Sequence, residues 1–256
     1  MIDTHCHLDQ PVFATDREAV LARSRQAGVR EWVVPAIRLE DFPNLVALRA
    51  PSLHIALGLH PLFTPSHPAD GVARLAQWVE RCRPIAMGEI GLDALASHAT
   101  QPLQQALFDA QLDLARQMRL PLLLHVRKAH DAVLARLRQT AFPYGGIVHA
   151  FSGSLQQAHS YIRMGFCLGM GGVVTHAQAV RVRHVAGAVP ASSLVLESDA
   201  PDLPPSGHRG ERNEPCHLPL VVQALSALRQ SSPAEIQSIT SHNARLVLGL
   251  PEKDQN

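Results

Sequence analysis

A chain of 256 residues with 46% hydrophobic and 18% charged side chains holds enough apolar material for a sizeable core, which excludes disorder. Its formal charge of +1 excludes the broad electrostatic attraction that drives non-specific binding to duplex nucleic acid. No run approaches the roughly 20 apolar residues of a membrane helix, and MIDTHCHLDQ lacks a basic segment leading into an apolar one. A cytoplasmic protein with no membrane partner is expected.

Short apolar runs recur along the chain: MIDTHCH at the start, then EWVVPAI (31–37), LHIALGLHP (53–61), PIAMGEIG (84–91), LPLLLHV (120–126), GGIVHAF (145–151), GFCLGMGG (165–172) and SLVLESDAP (193–201). Most are near-continuous rather than alternating, as in parallel strands covered on both faces. Between them lie helical patterns, including 16–28, 68–82, 101–118 and 154–165, with Gly28 and Gly165 where C-caps belong. Two further helices are expected at about 216–230 and 233–248. Strand then helix, repeated eight times over about 250 residues, predicts an α/β fold of the TIM-type (β/α)₈ barrel class. No linker divides the chain, so 1–256 reads as a single domain. A long Pro/Gly loop, 200–215, follows the last strand and falls on the active-site face of such a barrel.

The four cysteines, Cys6, Cys82, Cys167 and Cys216, are scattered with no CxxC pair, so they are expected to be reduced and to hold no zinc. Histidine is the abundant chemistry: there are 15, against two tryptophans and two tyrosines. His5 and His7 form an HxH whose imidazoles share one face of a strand, with Cys6 on the other. A lone HxH occurs by chance. Here Glu89 closes the fourth run, His125 the fifth, His149 the sixth and Asp199 the eighth, and a barrel brings its C-terminal strand ends to one mouth.

Four imidazoles and two carboxylates without thiolates suit two divalent ions, Zn²⁺ or Mn²⁺ ahead of the more oxygen-seeking Mg²⁺. Glu89, with two oxygens, is the natural bridge. Such a pair activates water and stabilises the oxygens of an in-line displacement, with Asp199 able to accept the water's proton. That predicts hydrolysis without choosing the bond. His60, in GLHP, is a candidate contact to a scissile phosphate or leaving group, and Arg127, Lys128 and His130 form a candidate basic patch, as do Arg209 and Arg212 on the long loop. Glu197, two residues before Asp199, is expected to support a ligand rather than be one.

The motifs IDTHCHLD (2–9), GLHP (58–61), GEIGLD (88–93), LHVRKAHD (124–131), HAFSGS (149–154), GMGGVVT (169–175), LESDAP (196–201) and RNEP (212–215) resemble, in order, those of the TatD family of metal-dependent deoxyribonucleases within the amidohydrolase-like barrels. The resemblance implies one ion held by His5, His7, Glu89 and Asp199 and a second by Glu89, His125 and His149; from the residues themselves, Asp199 and Glu89 are the expected catalytic groups and His60 and Arg127 the expected substrate contacts. It implies 3′-5′ exonuclease or phosphodiesterase activity on a nucleic-acid strand end or small phosphoester, with no protein partner implied. The chain departs from the family pattern at Ala94 and Leu95, where an aromatic and a basic residue are usual, and at Ser198 in place of Thr. The same ions could instead serve a carbonyl-ester, lactone or aminoacyl-ester hydrolase, and a non-catalytic metal-binding module is the alternative of another class.

Overall fold

A computed structural model describes residues 1–97 and 100–251. Eight strands, β1 (Ile2–Asp3), β2 (Glu31–Pro35), β3 (Leu53–Leu57), β4 (Ala86–Asp93), β5 (Leu122–Arg127), β6 (Gly146–Val148), β7 (Phe166–Met170) and β8 (Leu194–Leu196), form one sheet in sequence order. Every pairing between neighbours is parallel. The sheet curls until its first and last strands meet. Both the amide and the hydroxyl of Thr4 donate to the Leu196 carbonyl at 2.9 Å, and the Asp199 amide donates to the His5 carbonyl at 2.9 Å.

Around it lie α1 (Arg17–Gln26), α2 (Phe42–Ala47), α3 (Gly71–Cys82), α4 (Gln101–Met118), α5 (His130–Gln139), α6 (Leu155–Arg163), α7 (Val180–Ala188), α8 (Leu218–Arg229) and α9 (Pro233–Leu248). The helices expected from periodicity are present within a few residues, and α2, α5 and α7 fill the remaining crossovers. Gly28 and Gly165 have φ of +89° and +80°, the left-handed backbone that ends a helix without a Cβ clash. Capping boxes at Ser154–Gln157 and Ser232–Glu235 start α6 and α9. No described helix is long and apolar enough to cross a membrane.

Two apolar layers follow from the period-two alternation of strands. The outer one packs strand faces against helices and includes Trp32, Ile55, Leu57, Phe108, Leu122, Leu124 and Tyr161. The inner one takes a side chain from each strand, Ile2, Val33, Ala56, Ala86, Leu123, Ile147, Cys167 and Val195, and packs against Ala244, Leu248 and Leu250. Two residues beyond Leu123, Ile147 and Val195 on the same face come His125, His149 and Glu197. The interior layer beneath the mouth therefore passes directly into the polar layer above it.

Strand β4 breaks this alternation. Met87, Ile90 and Leu92 face the outer layer while Ala86 faces the inner one, and the register against β5 shifts between Met87 and Ile90. Gly88 and Glu89 are thus consecutive inward residues, as an irregularity of one extra residue allows. A Cβ on Gly88 would lie 2.5 Å from Leu123 Cβ, so only glycine fits there.

Candidate metal centre

The structure corrects where several site residues sit on their strands. His5 and His7 lie beyond the two-residue β1, and His149 and Asp199 lie one and three residues past β6 and β8. Glu89 does not close its strand, because β4 runs on to Asp93. His125 is likewise inside β5, which reaches Arg127. At Asp199 the backbone is left-handed, φ +57°, and the chain then turns into the long loop.

These elements bring His5, His7, Glu89, His125, His149 and Asp199 into one mouth. Glu89, 2% exposed, divides its oxygens. Oε2 lies 3.1 Å from His5 Nε2 and 3.6 Å from His7 Nε2, and Oε1 lies 3.0 Å from His125 Nδ1 and 3.3 Å from His60 Nε2. Asp199 Oδ1 gathers His149 Nε2 at 3.5 Å, His7 Nε2 at 3.7 Å and His5 Nε2 at 3.8 Å. His149 stacks on His5 with ring centroids 3.6 Å apart, so it sits on the Asp199 side of Glu89, while His60 completes the His125 side.

Surrounding polar groups fix the rings. Asp93 Oδ2 lies 3.0 Å from His125 Nε2, the carboxylate–imidazole arrangement that orients metal-binding histidines, and Glu197 Oε1 lies 3.1 Å from His149 Nδ1 as an ion pair outside hydrogen-bond geometry. Asp93 is itself set by the Leu95 amide at 2.8 Å, and its own amide donates to Gln104 Oε1 at 2.9 Å. Glu197, fully buried, accepts from the Ala150 amide at 2.6 Å. Gly169 makes room for it, since a Cβ there would lie 2.1 Å from Glu197 Oε2. Asp3 accepts from the Ser198 amide and hydroxyl at 2.9 and 2.6 Å, bracing the turn that carries Asp199. Sequence reasoning placed Glu197 in its supporting role but passed over Asp93. Its signal was the last letter of GEIGLD, a carboxylate four residues beyond Glu89 on the same face.

His60 has a defined tautomer. Its Nδ1 accepts from the Leu62 amide at 3.2 Å, which leaves the proton on Nε2, pointing at Glu89 and 3.2 Å from His125 Nδ1. His125 sits between two carboxylates, with Nε2 3.0 Å from Asp93 Oδ2 and Nδ1 3.0 Å from Glu89 Oε1, so that donation of Nε2–H to Asp93 would free Nδ1 for a cation. Arg127 is exposed at the rim. The other basic candidates divide. Arg212 is bound to Asp16 at 2.6 Å and Glu214 at 2.8 Å and holds the long loop rather than the mouth. His130 is buried beside Phe151 and Tyr161, which removes it from the patch. Arg209 is exposed on the loop.

Burial would raise Glu89, but His60, His5 and the hydrogen bond from His125 hold its carboxyl well below the usual range. Burial opposes ionisation of Asp199 too, and His149 with its hydrogen bond overcomes it. His5 and His60 are lowered, mainly by burial. The two anionic carboxylates face imidazole nitrogens across 3.0–3.8 Å, and His5 Nδ1 and His7 Nδ1 are buried without a hydrogen-bond partner. A donor set of that kind, all nitrogen and oxygen with lone pairs converging, fits divalent cations. Beside it opens a cavity of about 600 Å³ lined by Leu62, Phe63, Val173 and Val182 as well as the polar cluster.

Residues 2–249 match the model of the family described as TatD related DNase. The chain is 40% identical over 254 residues, 98% of each chain, to the metal-dependent hydrolase YjjV of Escherichia coli K12, whose crystal structure superposes with a TM-score of 0.94. It is 32% identical over 260 residues to a 3′-5′ ssDNA/RNA exonuclease TatD of Pantoea, covering 98% of this chain and 100% of that one. A TatD family hydrolase of Entamoeba histolytica, 19% identical and covering 98% of each chain, shares the fold with a TM-score of 0.86. With the family model matched over residues 2–249 and a 40% identical relative sharing the barrel from end to end, the chain belongs to the TatD-related DNase family.

Proposed function

We propose that this protein is a divalent-metal-dependent hydrolase that cleaves phosphodiester bonds at the end of a nucleic-acid strand, as a 3′-5′ exonuclease. The observation that carries the reading is the division of Glu89, one oxygen toward His5 and His7 and the other toward His125, with Asp199 opposite. Two ions, Zn²⁺, Mn²⁺ or Mg²⁺, would be held there by His5, His7, Glu89, His125, His149 and Asp199, one on the side of Glu89 that carries His5, His7, His149 and Asp199 and one on the side that carries His125. When bound, the ions supply a nucleophile at neutral pH and charge stabilisation for the attacking and leaving oxygens.

The protein's own groups do the rest. Asp199 Oδ1, ionised and facing the mouth, takes the proton from the attacking water. His60 Nε2–H is directed at the same space and donates to the leaving oxygen or a phosphoryl oxygen. Arg127 at the rim pairs a non-bridging phosphate oxygen. Asp93 and Glu197 hold His125 and His149 in place, so the cluster needs little rearrangement during reaction. The name of the Pantoea relative supports single-stranded nucleic acid as the substrate.

The test is hydrolysis of single-stranded DNA, single-stranded RNA and a chromogenic phosphodiester by protein loaded with each metal, beside a panel of carbonyl esters and lactones. Metal-dependent release of mononucleotides from the 3′ end, lost in Glu89→Gln, is expected. Turnover of carbonyl esters or lactones alone would overturn the reading in favour of the other hydrolase class.

A further inference from the structure

A second cavity, about 590 Å³, opens beside the first between the loops that follow β4, β5 and β6. It adjoins the metal mouth. Arg127 and Ser152 line both spaces, and a third hollow shares Ser152 and Val182 with the mouth and Lys128, Ser152 and Arg181 with the second cavity. Three cations, Arg127, Lys128 and Arg181, are exposed on its wall, and no described acid pairs with any of them.

The two acids there are otherwise engaged. Asp93 is bonded to His125 and the Leu95 amide, and Asp131 accepts from Gln157 Nε2 at 2.8 Å. The opposite wall carries Ala94 and Leu95, with Leu95 59% exposed, and the described lining has no Phe, Tyr or Trp on which a base could stack. Unpaired cations without stacking partners recognise a phosphate backbone rather than bases.

We propose that this second cavity is a phosphate subsite that holds the strand one nucleotide beyond the scissile bond, through Arg181 and Lys128 with Arg127 at the junction. The inference rests on the nuclease reading and deepens it: the substrate has at least two phosphates in series, and base identity at that position is indifferent. A mononucleotide or a simple diester occupies the mouth alone.

The experiment uses metal-loaded protein and a fluorescein-labelled oligothymidylate with phosphorothioate linkages, followed by anisotropy. The variants are Arg181→Glu and the double Lys128→Glu, Arg181→Glu. Both positions are exposed, and kcat/KM on the chromogenic phosphodiester reports that the variants are folded. Expected are an affinity for the oligonucleotide at least about tenfold weaker in the double variant, a shallower salt dependence, equal loss on oligothymidylate and oligoadenylate, and an unchanged rate on the simple diester. Unchanged oligonucleotide affinity, an equal loss on the simple diester, or no binding by the unmodified protein overturns the subsite. Oligonucleotide binding that weakens as expected, with no phosphodiester of any kind cleaved, would overturn the hydrolytic reading and leave the subsite standing.

Discussion

Asp93→Asn tests whether the surrounding carboxylates set the metal affinity. In the structure Asp93 Oδ2 lies 3.0 Å from His125 Nε2, and by accepting the Nε2 proton when a metal is bound it would leave Nδ1 to present its lone pair on the Glu89 side. An asparagine keeps its Oδ1 for the Leu95 amide but presents an N–H₂ donor to Nε2. The imidazole must then move its proton to Nδ1, the atom facing the ion, or give up the hydrogen bond. Losing such an orienting partner weakens metal binding about 10- to 100-fold, or roughly 1.4–2.7 kcal/mol. Because Asp93 also strengthens proton binding at His125, the competition titration of stripped protein with a chromogenic chelator is run at alkaline pH, where protons compete least. The fold is spared, since Gln104 still accepts from the residue-93 amide and the change is isosteric. A variant with full metal affinity, or one that loses affinity only in step with its folded fraction, would refute the argument.

Gly169→Ala places a Cβ where Glu197 Oε2 now lies, displacing a carboxylate that accepts from the Ala150 amide and faces His149. A loss of about 1.5–3 kcal/mol in urea unfolding is expected, the range for a charged hydrogen bond, together with weaker metal binding. Withdrawing metal with a chelator from protein held in free metal at 100 times the Kd removes about 2.7 kcal/mol for each ion lost, a fall in Tm of roughly 5–10 °C per ion by scanning calorimetry. An unchanged Tm would argue against metal in the mouth. Ser232→Ala removes the hydroxyl that accepts from the Glu235 amide at the start of α9, and is expected to lower unfolding free energy by about 1 kcal/mol with catalysis intact.

What the sequence alone determined was the barrel and a set of candidate ligands. Eight apolar runs separated by helical patterns admit one parallel architecture, and His5, His7, Glu89, His125, His149 and Asp199 near the ends of those runs could be read because a barrel sends strand ends to one mouth. Their division was decided in three dimensions. Alternation counted from Ala86 would turn Glu89 outward, and only the register shift against β5, fitted by Gly88 against Leu123, turns it in. Nothing in a linear pattern marks such a shift, because it is set by the pairing with a neighbouring strand. The same holds for Asp93 and Arg212, both charged and both near motif ends. One is buried against His125 and the other is bound to Asp16, 196 residues away in the chain, and a charge takes its role from the partner that folding brings to it.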